Sequence, residues 1–134
     1  KLIFNQELPV ENIPETWNQM FEDWFGIEVN NDANGCLQDI HWSMGAFGYF
    51  PTYTLGNLYA AQFLKTMSGQ LGDIDMLIES GDWSKIQAWL RENIYQKGSQ
   101  STAAELIEEI TGSVPSPEPF LNYVEDKYRR LYKL

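Results

Sequence analysis

The sequence predicts an all-α fold, and three observations support that prediction. Apolar residues recur at the spacing of a helix in successive stretches along the 134-residue chain. Residues that cap and end helices stand between these stretches. No stretch alternates between apolar and polar residues for long enough to predict a strand. Because no internal repeat or low-complexity linker divides the chain, residues 1–134 are predicted to form a single helical segment.

The first helix is predicted over residues 13–25. Pro14 suits the first turn of a helix, where its missing N–H is no loss. Gly26 then supplies the left-handed residue that ends many helices. The apolar stripe consists of Ile13, Trp17, Met20, Phe21, Trp24 and Phe25. Residues 27–34 are rich in Asn and Asp and are predicted to form a loop.

Capping residues predict the boundaries of the later helices. Asp73 is expected to cap a short helix through Ser80, and Thr102 and Glu105 have the spacing of a capping box. Ser116, followed by a proline, is expected to open the last helix. The apolar stripes of the longer helices are Leu55, Leu58, Tyr59, Phe63 and Met67; Trp83, Ile86, Trp89, Leu90 and Ile94; Ala103, Leu106, Ile107 and Ile110; and Phe120, Leu121, Val124, Tyr128, Leu131 and Tyr132. The tryptophans at positions 17, 24, 83 and 89 are predicted to lie in the core.

The charge of the chain argues against nucleic acid as a partner. The formal net charge is −10, and no Lys or Arg occurs between Lys1 and Lys65. Affinity for a phosphate backbone comes from cationic side chains that displace counterions. The basic residues near the end are interpreted as cations that offset a helix dipole rather than as a membrane or RNA patch. They are Lys127, Arg129, Arg130 and Lys133. No apolar run has the length that a membrane span needs, so no membrane partner is expected.

A single cysteine, Cys36, excludes a disulfide within the chain and favours a reducing compartment, so a cytoplasmic location is expected. Cys36 and His41 together would also suit a thiol protease. Nothing in the neighbouring sequence marks Cys36 as an activated thiolate, and a small buried hydrophobe is the commoner role of such a residue.

The segment from Gly35 to Tyr59 has an unusual composition. It contains the only histidine of the chain, His41, among aromatic residues, an amide and a carboxylate. The glycines at positions 35, 45, 48 and 56 indicate turns or close backbone approach rather than a simple core helix. Such a mixture suits a binding cleft. The alternative is a core histidine with tyrosines in a structural hydrogen-bond network.

The residues of this segment also carry a family resemblance. Gly35, Gln38, Asp39, His41 and Trp42 fill every specified position of the Gly-x-x-Gln-Asp-x-His-Trp motif of the thermostable (Taq-type) zinc carboxypeptidases, peptidase family M32. The residues that follow are also similar to that family: residues 47–53, Gly56-Asn57, residues 59–62, residues 89–94, Thr111-Gly112 and Phe120-Leu121-x-Tyr123. Because the likeness reaches the end of the family's chain, this chain is expected to be the C-terminal, bundle-like part of a larger, mostly helical peptidase.

The resemblance implies a zinc-dependent enzyme that releases C-terminal residues from peptides. The family's His-Glu-x-x-His motif places two imidazoles one helical turn apart on the metal. A chain with one histidine lacks that motif, so no metal site is expected in this chain alone and the isolated chain is expected to be inactive. The expected partners are a peptide substrate, the rest of the same polypeptide and, since the family is dimeric as a rule, a second copy.

Site roles are also implied. His41, Tyr49 and Tyr53 are expected to donate hydrogen bonds to the oxyanion or to the terminal carboxylate of the substrate. Gln38 and Asp39 complete the predicted substrate-binding set, with Asp39 alternatively orienting its neighbours or the metal ligands. On a helix Gln38 and His41 would share a face, whereas an Asp39–His41 dyad would need an irregular backbone.

Trp42 is expected to pack rather than to take part in chemistry. Tyr95, where family members often have His, carries no assigned role. A free-standing helical interaction module and a family relic without activity remain alternative functions. Because a part of a larger enzyme exposes apolar surface, the isolated chain is predicted to self-associate.

Overall fold

The structure, a computed structural model, describes residues 1–134 and is entirely helical. Its α-helices are α1 (Ile13–Phe25), α2 (Phe50–Leu71), α3 (Ile74–Glu79), α4 (Trp83–Asn93), α5 (Ala103–Thr111) and α6 (Glu118–Tyr132). The predicted all-α class is thereby confirmed. The chain divides into two compact units, Lys1–Tyr49 and Phe50–Leu134.

The first unit contains α1 and a series of short 3-10 turns. As predicted, α1 carries a proline in its first turn and ends at Gly26, whose φ of 65° is left-handed. Along the helix, Trp17 stacks on Phe21 at 5.0 Å between ring centroids, and Phe21 contacts Phe25 at 4.7 Å. The turns that follow are Asp32–Asn34, Cys36–Gln38 and Trp42–Met44.

The second unit packs its core between α2, α3 and α4. The buried residues of this cluster are Met67, Ile74, Ile86 and Trp89, and Phe63, Leu71, Leu77, Leu90, Ile94 and Ile110 pack against them. The indole N–H of Trp89 donates to the side-chain oxygen of Gln70 at 2.6 Å, so the one polar atom of this large side chain is paired. Ile107 of α5 is fully buried.

Capping interactions confirm two of the predicted helix starts, those of α3 and α5. The Asp73 side chain accepts from the backbone N–H of Met76 at 3.1 Å at the start of α3. At α5, Thr102 and Glu105 form the predicted capping box, with Thr102 N–H donating to the Glu105 carboxylate at 2.8 Å. This backbone bond, and then the bond from the Thr102 hydroxyl, hold the pKa of Glu105 below its ordinary value.

The link between α5 and α6 is tied to α2 through Gln62, whose side chain is only 4% exposed. Its amide nitrogen donates to the Thr111 hydroxyl and to the Val114 carbonyl, both at 3.1 Å, and lies 3.3 Å from the Ser113 carbonyl. Its oxygen accepts from the backbone N–H of Ser116 at 3.0 Å. Gln62 thus holds the segment that leads into α6. The Ser116 hydroxyl accepts from Glu118 N–H at 3.2 Å, next to the start of α6.

Two of the four tryptophans predicted for the core are exposed. Trp89 is 5% exposed and confirms the prediction, and Trp17 is half-buried. Trp24 is 70% exposed and Trp83 is 49% exposed, so the prediction was wrong for both. Helical periodicity identifies the stripe to which a residue belongs, but the neighbouring elements decide how much of that stripe they cover.

The charged end of α6 agrees with the interpretation as helix-end cations. Arg129 and Arg130 lie in the last turn of α6, and the Arg129 guanidinium pairs with Glu125 one turn earlier at 2.8 Å. No helix in this structure combines the length and the apolar character that crossing a bilayer requires.

Candidate functional site

The motif segment from Gly35 to Tyr49 in the first unit has an irregular backbone that forms short turns. At Gly35 the backbone lies close to other residues: a Cβ atom there would be 2.8 Å from Asn18 Oδ1 and 3.0 Å from Val29 Cγ1, which explains why the motif has glycine at this position. Gly45 has a φ of 75° and ends a turn. These two glycines confirm the prediction of close approach and turns. Gly56 does not, because it lies inside α2 with open space around its Cα.

Asp39 and His41 form a direct pair within this segment. One carboxylate oxygen, Asp39 Oδ1, lies 2.7 Å from the backbone nitrogen of His41 and 3.0 Å from its ring Nδ1. Asp39 has φ −78° and ψ 112°, an extended conformation between two 3-10 turns. On a regular helix Asp39 and His41 would not face each other. The pair forms here because the backbone is irregular, which is the condition that the sequence predicted for such a dyad.

The ring of His41 is also held by an aromatic neighbour. Tyr49 stacks on it with 5.5 Å between centroids and 20° between planes. The side chains of His41 and Asp39 are 15% and 11% exposed, whereas Tyr49 is exposed. The structure therefore brings three of the predicted site residues together, with an ordered imidazole between a carboxylate and a phenol.

Gln38 and His41 would share a face only on a helix, and no helix runs through them. The 3-10 turn Cys36–Gln38 ends at Gln38, and Asp39 is extended before His41. The Gln38 side-chain nitrogen instead donates back to the Ala33 carbonyl. The amide therefore orders the loop before the motif.

Tyr53 belongs to the second unit, where it lies in the first turn of α2. Its ring is 6.0 Å from that of Phe50 at an angle of 54°, and it is exposed. Turns were predicted from the glycines of the segment Gly35 to Tyr59, but its last ten residues are helical, because α2 begins at Phe50.

Trp42 lies among aromatic and aliphatic neighbours, as expected for packing. Its ring stacks on Phe47 at 5.7 Å, and Phe47 meets the edge of Phe4 at 5.1 Å. Trp42 also lines an apolar cleft of about 330 Å³ together with Leu2, Ile3, Leu8, Ile13, Trp17 and Met20. Residues 1–9 carry no periodic pattern, so their contribution to this cleft was not predicted from the sequence.

The residues present do not fit a zinc site. No group of three His, Cys, Asp or Glu side chains is arranged so that it could hold a metal ion. The only imidazole is that of His41, and its Nδ1 is in contact with Asp39. Structural and catalytic zinc sites need at least three protein ligands.

Known proteins give a consistent comparison. The sequence model described as carboxypeptidase Taq (M32) metallopeptidase matches residues 1–128. Thermostable carboxypeptidase 1 of Thermus thermophilus is 42% identical over 130 residues, which is 97% of this chain and 26% of that protein. Carboxypeptidase 1 of Bacillus subtilis is 40% identical over 134 residues, which is 100% of this chain and 27% of that protein.

A solved structure agrees with these relatives. The crystal structure of an M32 carboxypeptidase from Deinococcus radiodurans R1 has a TM-score of 0.94 at 34% identity, over 99% of this chain and 27% of that one. This chain spans about a quarter of the length of each of these relatives. The family model, in contrast, matches nearly the whole of this chain, and the chain belongs to the M32 family of carboxypeptidase Taq metallopeptidases.

Proposed function

We propose that this chain supplies substrate-contacting residues to a zinc-dependent M32 carboxypeptidase that releases C-terminal residues from peptides. The observation that carries the proposal is the ordered imidazole of His41, held by Asp39 at 3.0 Å and stacked on Tyr49 at 5.5 Å. Hydrogen-bonding groups that are oriented before the substrate arrives stabilise a developing oxyanion most effectively. Family membership supports the reaction class.

In this proposal His41, Tyr49 and Tyr53 act on the oxygen atoms of the substrate. Tyr49 and Tyr53 are both exposed residues. The acceptor is either the oxyanion formed at the scissile carbonyl or the terminal carboxylate of the peptide. Gln38 belongs to the same substrate-binding set, and because its nitrogen donates to Ala33, its amide oxygen is the group we assign to the substrate.

The metal ligands are proposed to lie outside this chain, because its own residues do not assemble a site. The relatives are about four times longer than the chain, which leaves ample sequence for a metal-binding part. The isolated chain is accordingly proposed to be inactive and metal-free. We also propose a cytoplasmic location, which the single cysteine supports.

The exposed aromatic residues of the helices are proposed to contact the rest of the same polypeptide. On α1, Trp24 and Phe25 are exposed, and on α6 Tyr128 and Tyr132 stack on each other at the surface. Surfaces of this kind mark interaction sites. Without its covering part, the chain is expected to self-associate, and a concentration-dependent mass in sedimentation would support this. The full-length enzyme is proposed to be a dimer.

The test uses the longer polypeptide that we propose, with its metal content and peptidase rate measured together. His41→Ala is expected to lower kcat by about 10²–10³-fold, the usual effect of removing one oxyanion donor, with the metal retained. Tyr49→Phe removes only the phenol oxygen and is expected to lower kcat as well.

Tyr95→Phe is the matched control for Tyr49→Phe, because Tyr95 is also exposed and lies outside the motif. It is expected to leave kcat unchanged.

If the wild-type polypeptide contains no metal and releases no amino acid from peptides, the proposed enzymatic function is wrong, and the chain is better described as an interaction module of the same family. If the enzyme is active and His41→Ala matches the wild type, the site assignment fails while the family function stands.

A further inference from the structure

Asp39 has a more specific role than substrate contact. Its Oδ1 accepts from the backbone nitrogen of His41 at 2.7 Å and lies 3.0 Å from the ring Nδ1 of the same residue. The first contact closes the turn in which an Asp side chain accepts from the backbone two residues later. The second brings the imidazole onto the same oxygen, so one carboxylate fixes both the backbone and the ring.

The burial of the carboxylate supports a role behind the ring. The Asp39 side chain is 11% exposed, and a carboxylate so far removed from water needs protein hydrogen-bond donors. Its two recorded donors both belong to His41. Tyr49 stacks on the ring at a centroid distance of 5.5 Å and restricts its rotation. The ring is thus held at its Nδ1 edge and on one face.

The pair also selects one tautomer of the imidazole. An ionised carboxylate can only accept hydrogen bonds, so His41 Nδ1 must carry a proton to bond Asp39. In the neutral ring the lone pair then lies on Nε2, at the opposite edge. An imidazole in water prefers the other tautomer, with the proton on Nε2. The contact with Asp39 therefore opposes the intrinsic preference of the ring.

We infer that Asp39 is a positioning residue that fixes His41 in the Nδ1–H tautomer and directs Nε2 toward the ligand. The neutral ring then accepts a hydrogen bond at Nε2, and it donates there only as the imidazolium. This inference refines the site that we propose above, and only its catalytic consequence rests on the proposed function. Of the two roles that the sequence left open for Asp39, it favours orientation of a neighbour over direct substrate contact.

The chain itself offers a direct test because it has one histidine. With ¹⁵N-labelled histidine, the two ring nitrogens of His41 give a single pair of resonances in the whole protein. At about pH 9, well above the ordinary titration range of imidazole, we expect a protonated Nδ1 and an unprotonated Nε2. The same spectrum in denaturing urea serves as the reference and is expected to show the reverse.

Two variants sharpen the test. Asp39→Ala removes the acceptor and is expected to move the proton to Nε2, while Asp32→Ala, a nearby exposed acidic residue in the same unit, is expected to leave the spectrum unchanged. Folding of each variant is checked by circular dichroism. A folded wild type with the proton on Nε2 overturns the inference, whatever happens to the variants.

A rate measurement in the full-length enzyme gives a second, independent decision. Asp39→Ala is expected to lower kcat by about 10-fold or more and to add nothing when His41 is already Ala. Additive losses in the two variants would mean that Asp39 acts apart from His41 and would overturn the inference. If His41→Ala leaves the rate intact while the tautomer is as expected, the proposed catalytic role fails and the positioning role of Asp39 stands.

Discussion

The polar groups at Gln62 and at the Asp39–His41 pair lie in two regions that both match the M32 family, yet they are built differently. Gln62 is 4% exposed, and its hydrogen bonds reach partners 49 to 54 residues away in the link to α6. The Asp39–His41 pair spans two residues, and its ring is stacked on the exposed Tyr49. One group connects distant elements, and the other orders a side chain near an accessible surface.

This difference distinguishes a residue proposed to support the fold from a residue proposed to contact substrate, a distinction that sequence similarity alone does not make. The amide of Gln62 has a protein partner for its oxygen and for its nitrogen, so its role is complete within the fold. The imidazole of His41 contacts Asp39 at Nδ1 and is stacked on the exposed Tyr49, so its ring is oriented near an accessible surface. A residue of a family motif is therefore assigned to structure or to chemistry by its burial and by its hydrogen-bond partners.

The largest stability effect is expected at Gln62. Gln62→Ala removes four contacts and leaves the Val114 carbonyl and the Ser116 N–H without their partner. Because the buried Gln62 side chain and its part-buried hydrogen bonds are lost together, we expect the free energy of unfolding to fall by about 2–3 kcal/mol, measured in urea. The control is Gln87→Ala at an exposed position of α4, expected to change stability by about 0.5 kcal/mol or less. Equal effects of the two variants would contradict the scaffold role.

A pair of glycine variants tests whether the motif also contains scaffold residues. Gly35→Ala places a Cβ 2.8 Å from Asn18 Oδ1 and 3.0 Å from Val29 Cγ1, and we expect a loss of about 1–3 kcal/mol from overpacking. Gly56→Ala, inside α2 with open space, is expected to gain about 0.5–1 kcal/mol because glycine is a poor helix former. Chemical denaturation of both variants checks the opposite signs. A neutral Gly35→Ala would show that the close approach relaxes without cost.

The smallest effect concerns the capping box of α5. The pKa of Glu105 is lowered in the folded chain by its bonds from Thr102, so this carboxylate stabilises the fold above its ordinary pKa. That contribution is lost as the pH falls through the lowered folded-state value. Glu105→Gln is therefore expected to be less stable than the wild type near neutral pH, with the difference vanishing in acid. Thermal melts at several pH values check this, and a difference that persists in acid would assign the effect to something other than charge.

Much of the fold was predictable because helix boundaries are encoded locally. Gly26 ends α1, Asp73 caps α3, and the Thr102–Glu105 box opens α5 as predicted. Each of these signals acts over three or four residues through the backbone groups that a helix end leaves unpaired. They need no knowledge of the rest of the chain.

The parts that could not be predicted depend on neighbours distant in sequence. The same periodic pattern contains the buried Trp89 and the exposed Trp83, because only packing decides which face is covered. The four partners of Gln62 in residues 111–116 were equally invisible in the sequence.

The candidate site was identified by its motif, but its geometry was not. Regular helical geometry argued for a Gln38–His41 face and against an Asp39–His41 pair. Both arguments hold only for a helix, and the extended backbone at Asp39 is the irregular case in which the Asp39–His41 pair forms. Such a conformation depends on the neighbouring turns and on the close approach at Gly35, which no spacing rule describes.

The central claim is that the Asp39–His41 pair serves chemistry and Gln62 serves the fold, and one experiment compares them directly. His41→Ala and Gln62→Ala are made in the full-length polypeptide, and kcat per folded, metal-loaded molecule is measured beside the free energy of unfolding. We predict that His41→Ala lowers kcat by about 10²–10³-fold and changes stability by about 1 kcal/mol or less, while Gln62→Ala lowers stability and keeps kcat. A His41→Ala enzyme with the wild-type kcat and reduced stability would contradict the account.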